Sequence, residues 1–445
     1  MVNEQIWAQV RSQAQTTPAV FGAVDFDTLP ERFTATPGDP NDLQSAGDEV
    51  RAKLLADEAL IDLMRAYTFM GDRIADPYAA LMPQYGFRRL MEMLTQACDH
   101  GIDAVEDAPA ELKALIEAME RVPDWVDMEL VEAGARAERA PVAVMSPFSL
   151  RAAFIGTFMN KYAALPMAFT GTLSNASAAR RVKETATFFA TSVLPGALAR
   201  HGAGFKAAAM VRLMHSMVRF NVMRKGRWDV SVYGVPIPQV DQMPAGLIGI
   251  TLMATAMVQA GRTEFTAEER ALVELSRYRC YLLGLPETLL GTTAVEIVTL
   301  MAARAATLRS GFDDDTCGAL LRATMGAYLP ADKSLRSRIQ DRLERGFTKV
   351  LFPKQFLNGD TARAREMGVV ATPMDKLCFA AAAALTGIRL AAYKAASRIP
   401  GISGMADRRL VAIIEKQLAS YGHAHFESDP SAYRPAVPAQ EAARP

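Results

Sequence analysis

Little in this chain announces a function. Four cysteines occur in 445 residues, Cys98, Cys280, Cys317 and Cys378, and no two stand in a CxxC pair. Such spacing speaks against a disulfide framework and against a cysteine zinc site, and four reduced, buried thiols are expected. Charge of one sign is lacking too, because 49 basic residues balance 49 acidic ones. Nucleic-acid binding needs a basic footprint, and a surface built for anionic membranes needs the same, so neither class of partner is expected. No GxGxxG follows a strand, and GxxxxGK[ST], GxSxG, HExxH and EF-hand patterns are all missing. Nucleotide-binding, serine-hydrolase and zinc-peptidase chemistry thereby lose their usual support.

Long hydrophobic runs are also wanting. The apolar stretch near 141–173 is broken by Arg151, Asn160, Lys161 and Pro166, and the one near 243–260 is bounded by Asp241 and Arg262 and holds Pro244. Neither offers the roughly twenty apolar residues a membrane span requires, so both are expected as buried helices and no transmembrane segment is expected. The opening MVNEQIWAQVRSQ has no basic start followed by an apolar run and no twin arginine. A cytoplasmic location follows as an expectation.

What is present is a large helical core. Half of the residues are hydrophobic, enough to fold a chain of this length without staples. Apolar residues recur at three- and four-residue steps in 50–72, 109–120, 128–140, 177–191, 204–224, 267–284, 287–308, 335–351 and 375–396, the spacing of an amphipathic helix. Ser177, Thr266 and Asp314 are N-cap candidates. Strand signals are confined to Trp228–Val235. The chain is expected to be all-α: an arm over 1–45, one helical domain over 46–426, and a disordered Pro/Ala-rich tail over 427–445.

Five histidines make the search for chemistry short. His423 and His425 stand beside the tail, and His100 and His201 precede glycines where a helix would end. His215 differs. It falls mid-helix among Met210, Leu213, Met214, Met217 and Val218, where an imidazole is costly unless a ring nitrogen finds a partner or a metal. Arg212 and Arg219, at i−3 and i+4, share its face. This arrangement suits haem, with imidazole to iron and guanidinium groups to the propionates. The plainer alternative is a satisfied core histidine beside two arginines that reach the surface. On a second helix Arg181, Glu184, Thr185 and Phe188 fall on one face. Opposite an iron they would offer hydrogen-bonding groups to oxygen, with Arg181 holding Glu184 ionised; elsewhere they are a half-exposed ion pair.

Several segments carry a family resemblance. Arg181–Val182–Lys183–Glu184–Thr185, then VRLMHSMVR around His215, then YGVPIPQVDQMPAGLIGIT from Tyr233 to Thr251, with a weaker echo in Tyr278–Leu290, together resemble the family that joins latex-clearing protein, a rubber oxygenase, with the oxygenase MpaB. The resemblance implies a globin-like helical core around haem b with His215 as axial iron ligand. It further implies Arg181 and Thr185 in the distal pocket, and oxidative cleavage of a prenyl or isoprenoid double bond by molecular oxygen. Two departures stand out. Latex-clearing proteins have a lysine where this chain has Glu184. Their proposed base is a glutamate upstream of the distal arginine, yet no acidic residue lies between Glu138 and Glu184. Glu184 is the candidate to replace it. The expected function is therefore an oxygenase for a hydrophobic small molecule, with a channel along 148–170 and 243–258. A haem sensor or carrier without turnover is the rival that the missing glutamate favours.

Overall fold

The computed structural model describes residues 2–43, 47–170, 174–224, 226 and 228–421. Among the described residues the architecture is all-α, as the periodicity predicts, and only two isolated β-bridges occur, Phe33 with Leu308 and Asn41 with Arg309. The β-like piece Trp228–Val235, which by sequence fits a hairpin or an irregular loop, holds instead a short helix, Val230–Tyr233. Asp229 decides it, because its carboxylate accepts from the Ser231 amide and hydroxyl and nucleates a turn, which overrides the β-preference of Val and Tyr. The stretch 50–72 is two helices, Asp48–Leu55 and Glu58–Thr68, parted where Asp57 accepts from the Leu60 amide.

Capping follows the same physics with small shifts in register. Thr266 caps its helix as expected, and with Glu269 completes a capping box. The helix Asn175–Thr191 is capped by Ser174, not Ser177, and the turn from Asp314 is capped by Asp313. In each case the neighbouring side chain reaches the free amide better.

The arm is woven into the core. Helix Val2–Thr16 buries Ile6 and Val10 against Glu58–Thr68. Arg32 is buried and bonds both Asp241 oxygens, at 2.9 and 2.5 Å, which ties the arm to helix Gln239–Gln259. The tail expected over 427–445, and with it His423 and His425, lies outside the described residues.

Two apolar cores position the site. The larger gathers residues such as Met64, Leu94, Leu112, Phe205, Leu213, Met243 and Leu275; full burial of one such side chain contributes about 1.5–3 kcal/mol. The smaller holds Phe158, Leu320, Leu321 and Phe352. Helix Asn175–Thr191 belongs to both, with Val182 in the smaller and Phe188 and Ala190 in the larger. A third apolar helix, Pro373–Ala396, is long and apolar enough to cross a membrane by length and composition and is mostly unburied, with Leu377 62% and Ile388 70% exposed.

Candidate functional site

His215 sits in the middle of helix Ala203–Arg224, which buries most of its length. Residues 212–214 and 216–220 are all sealed from solvent, yet His215 itself keeps part of its surface accessible. Atoms crowd it all the same. Burial, with Arg219 and Arg181 adding, drives its pKa down to about 4 against the opposing Gln242 bond. The imidazole is thus drawn toward its neutral form while part of the residue stays accessible. Nδ1 lies 3.1 Å from Gln242 Oε1, while Nε2 has no hydrogen-bond partner among the described residues and is not a sealed atom.

Both flanking arginines face inward. Arg212 makes a two-pronged bond to Asp72, Nε to Oδ2 at 2.5 Å and Nη2 to Oδ1 at 3.0 Å. Arg219 donates Nη1 to Asp76 Oδ1, Nε to the Pro236 carbonyl at 3.0 Å and Nη2 to the Ile237 carbonyl at 2.6 Å. All four side chains are buried. The sequence reading gave these guanidinium groups to propionates, and the surface-reaching alternative sent them to water. Here carboxylates of the chain's own 72–76 turn take them. Two charges sealed away from water need partners of opposite sign, and Asp72 and Asp76, four residues apart on one turn, supply both. Burial works to raise the Asp72 pKa, but Arg212 and the Ala75 amide hold it below the usual range. Asp76 goes the other way, up to about 6, since burial and the neighbouring Asp72 outweigh Arg219.

The segments that carried the sequence signal converge here. The loop after Tyr233 supplies the two carbonyls on Arg219 and, through Gln242, the partner of His215. The turn after helix Ala267–Leu282 places Gly284 at φ +87°, where a Cβ would lie 2.5 Å from Asp72 Oδ2 and 2.7 Å from Arg212 Nε. Only glycine lets that backbone close over the ion pair.

Helix Asn175–Thr191 packs against the His215 helix. Arg181 Nη1 donates to Glu184 Oε2 at 3.0 Å, and its charge reaches His215. Glu184 is 4% exposed. Its pKa is raised, because burial exceeds the pull of Arg181 and Arg180, while the Arg181 charge and hydrogen bond favour the ionised form as expected. Thr185 is half-buried and its hydroxyl makes no hydrogen bond among the described residues. Burial also lowers the pKa of Lys183, the neighbour of the position where a lysine was expected from the family. An apolar hollow of about 320 Å³ opens at the C-terminal end of the same helix, between Ser192, Leu194, Leu198, Val131 and Ala135. It lies apart from the 148–170 and 243–258 helices expected to line a channel, and about 12 Å along the helix axis from Glu184 at 1.5 Å per residue.

The donor set bears on what could bind. Among the described residues no group of three or more His, Cys, Asp or Glu side chains forms a metal cage, and the four cysteines are free, buried and separate. A haem iron asks for less, one imidazole nitrogen with a bare lone pair, and His215 Nε2 fits that demand. Asp72, Asp76, Gln239 and Gln242 were missed from the sequence. The i, i+4 spacing of the two aspartates and the i, i+3 spacing of the two glutamines were the available signals.

Residues 142–388 match the family model described as the catalytic domain of the ER-bound oxygenase mpaB/B' and rubber oxygenase. The fold is similar to the structure of latex clearing protein LCP in the closed state, with a TM-score of 0.54 at 18% identity, covering 78% of this chain and 91% of that one. No curated protein matches the chain. His215, Arg212, Arg219, Arg181, Glu184, Thr185 and Gln242 all fall inside the matched span; Asp72 and Asp76 precede it.

Proposed function

The chain belongs to the family of the ER-bound oxygenase mpaB/B' and rubber oxygenase, and from that premise we propose that it is a haem b-dependent oxygenase whose iron is held by His215. One observation carries the reading: His215 is the one partly accessible residue between 212 and 220, its imidazole is drawn toward the neutral form, and its Nε2 has no hydrogen-bond partner among the described residues. Haem b so held would supply the binding and activation of molecular oxygen.

The rest falls to the chain's own side chains. Arg181 and Thr185 present donors on the helix that packs against the His215 helix, and Glu184 holds a carboxyl whose raised pKa suits it to take and return a proton. The apolar hollow near Ser192 supports a hydrophobic substrate, because its walls offer almost no polar atoms. A prenyl or isoprenoid chain fits that chemistry, and cleavage of its C=C bond by one oxygen molecule, both atoms entering the two carbonyl products, is balanced without another reductant. Arg212 and Arg219 have no part in this proposal as propionate partners, since Asp72 and Asp76 already hold them. A cytoplasmic setting belongs to the same proposal and is supported by four free buried thiols.

A non-catalytic haem sensor remains the second reading, favoured by the lack of any acidic residue between Glu138 and Glu184. An absorption spectrum of the purified protein, before and after haem addition, tests the shared premise. A Soret band is expected in the wild type and none in His215→Ala with its helical circular dichroism intact. An unchanged Soret band in His215→Ala overturns the ligand assignment. Turnover of farnesylated or geranylated compounds to aldehydes or ketones then separates enzyme from sensor.

A further inference from the structure

Behind His215 runs a line of hydrogen bonds that ends on the backbone. Gln239 Nε2 donates to the Gly71 carbonyl at 2.8 Å, Gln242 Nε2 donates to Gln239 Oε1 at 3.0 Å, and Gln242 Oε1 lies 3.1 Å from His215 Nδ1. We propose that Gln239 and Gln242 are positioning residues that lock His215 as its Nδ1–H tautomer, leaving the Nε2 lone pair free for a cofactor metal.

The direction of the line does not depend on which end of each amide is called oxygen. A backbone carbonyl can only accept, so the Gln239 nitrogen must face Gly71. Its oxygen then faces Gln242, where it too can only accept, and this turns the Gln242 nitrogen toward Gln239. The Gln242 oxygen is left facing the ring, and the ring nitrogen opposite it must carry the proton. Reversing either amide would set acceptor against acceptor in a buried place, Gln239 being 2% and Gln242 7% exposed. Each such mismatch leaves a buried oxygen without a donor, which the fold does not tolerate cheaply.

The anchor is itself immobile. The Gly71 amide donates to Gln13 Oε1 at 2.9 Å, and Gln13 is 1% exposed on the N-terminal helix. The Gln239 amide donates to the Met70 carbonyl at 2.9 Å. A Cβ on Gly71 would lie 2.5 Å from Asp76 Oδ2 and 2.7 Å from the Phe21 ring, so the chain passes here in close contact with its neighbours. Gln239 and Gln242 stand three residues apart in the first turn of helix Gln239–Gln259, on one face. The N-terminal arm thus reaches the imidazole through four side-chain and backbone links. A partner behind a ligating histidine fixes the ring's tautomer and orientation, and its loss costs metal affinity about 10–100-fold.

The tautomer stands on the geometry alone, while its use for a haem iron rests on the function proposed above. The experiment keeps the two apart. Long-range proton–nitrogen NMR on metal-free protein labelled with ¹⁵N-histidine reads the protonation site of each of the five histidines, and His215→Ala identifies the signal of interest. A pure Nδ1–H form is expected at neutral pH in the wild type. Gln242→Leu should let the ring turn to a mixture or to the Nε2–H form. Gln239→Leu, which never touches the ring, should do so in part. Circular dichroism checks that every variant is folded. In haem-loaded ferrous protein the iron–histidine stretch should fall in Gln242→Leu, with haem affinity down about 10–100-fold in that variant. A wild-type His215 protonated at Nε2, or one that stays purely Nδ1–H in both leucine variants, overturns the relay. The expected tautomers in a protein that takes up no haem leave the relay standing and overturn the haem reading alone.

Discussion

Arg219 and Asp76 meet with neither side chain reaching solvent, one turn beyond His215 on one side and at the entrance of the short helix Ala75–Ala79 on the other. Removing one partner leaves a buried charge without compensation, at about 3–5 kcal/mol. Arg219→Leu should therefore lower the denaturant midpoint of the metal-free protein sharply, and Arg219→Leu with Asp76→Leu should recover part of the loss. A propionate partner would behave differently, with stability unaltered until haem is added. Unfolding of the metal-free variants decides between the two, and an unaffected midpoint in Arg219→Leu would show that the pair contributes nothing.

The same comparison marks what the sequence makes legible. Helices, the Thr266 capping box and the partnership of Arg181 with Glu184 follow from spacing within one segment, because helical periodicity is local. The partners of Arg212 and Arg219 do not. Asp72 and Asp76 lie about 140 residues upstream, and no local pattern states which distant carboxylate a guanidinium will meet. Haem propionates and aspartates offer the same charge and geometry to an arginine, so residue type alone left both open. Gln239 and Gln242 sat within a segment already singled out, but an amide carries no charge to mark it. The β-like piece Trp228–Val235 gave way for the opposite reason, since one aspartate's turn chemistry outweighed the β-preference of Trp228, Val230, Val232, Tyr233 and Val235.

Two glycines brace the ion pairs and should not tolerate alanine. At Gly71 the new methyl would crowd Asp76, Phe21 and the Arg219 Nε at 2.9 Å; at Gly284 it would crowd Asp72 and Arg212 and demand φ +87° of an L-residue. Overpacking costs about 1–3 kcal/mol, and the backbone strain adds to it only at Gly284. Gly284→Ala should therefore destabilise more than Gly71→Ala in thermal unfolding. Gly38, at φ +83° with open space around it, is the control for strain without crowding. Equal losses at Gly38 and Gly284 would show that the ion pair exerts no crowding.

Folding stability should also carry the mark of His215. Its folded pKa of about 4 lies below the ordinary 6.5, so between those values the unfolded chain takes up a proton that the folded protein refuses. Stability from this group is full above pH 6.5 and is lost as pH falls toward 4, by about 3 kcal/mol in all. Asp76 and Glu184, both raised, slope the opposite way. The difference between wild type and His215→Gln therefore isolates the imidazole. The wild-type curve should fall away from the variant's as pH drops from 6.5 to 4 in metal-free protein, and parallel curves would show that the imidazole is open to water.

Glu184 separates an oxygenase from a haem carrier. Burial raises its pKa and Arg181, 3.0 Å away, restrains the rise, which places the carboxyl nearer to working pH than an exposed glutamate, where proton transfer is most effective. Glu184→Gln keeps the shape and the hydrogen bond from Arg181 but cannot take a proton. Turnover of a farnesylated or geranylated compound, followed by mass spectrometry of the carbonyl products, should drop about 10²–10⁴-fold, with the Soret band and helical content unchanged. Thr185→Val removes one hydroxyl and should cost less. Arg181→Met relieves the restraint, so the acid limb of the pH–rate profile should move to higher pH. Wild-type turnover in Glu184→Gln would remove the glutamate from the chemistry. An acid limb that stays in place without Arg181 would assign the limb to another group.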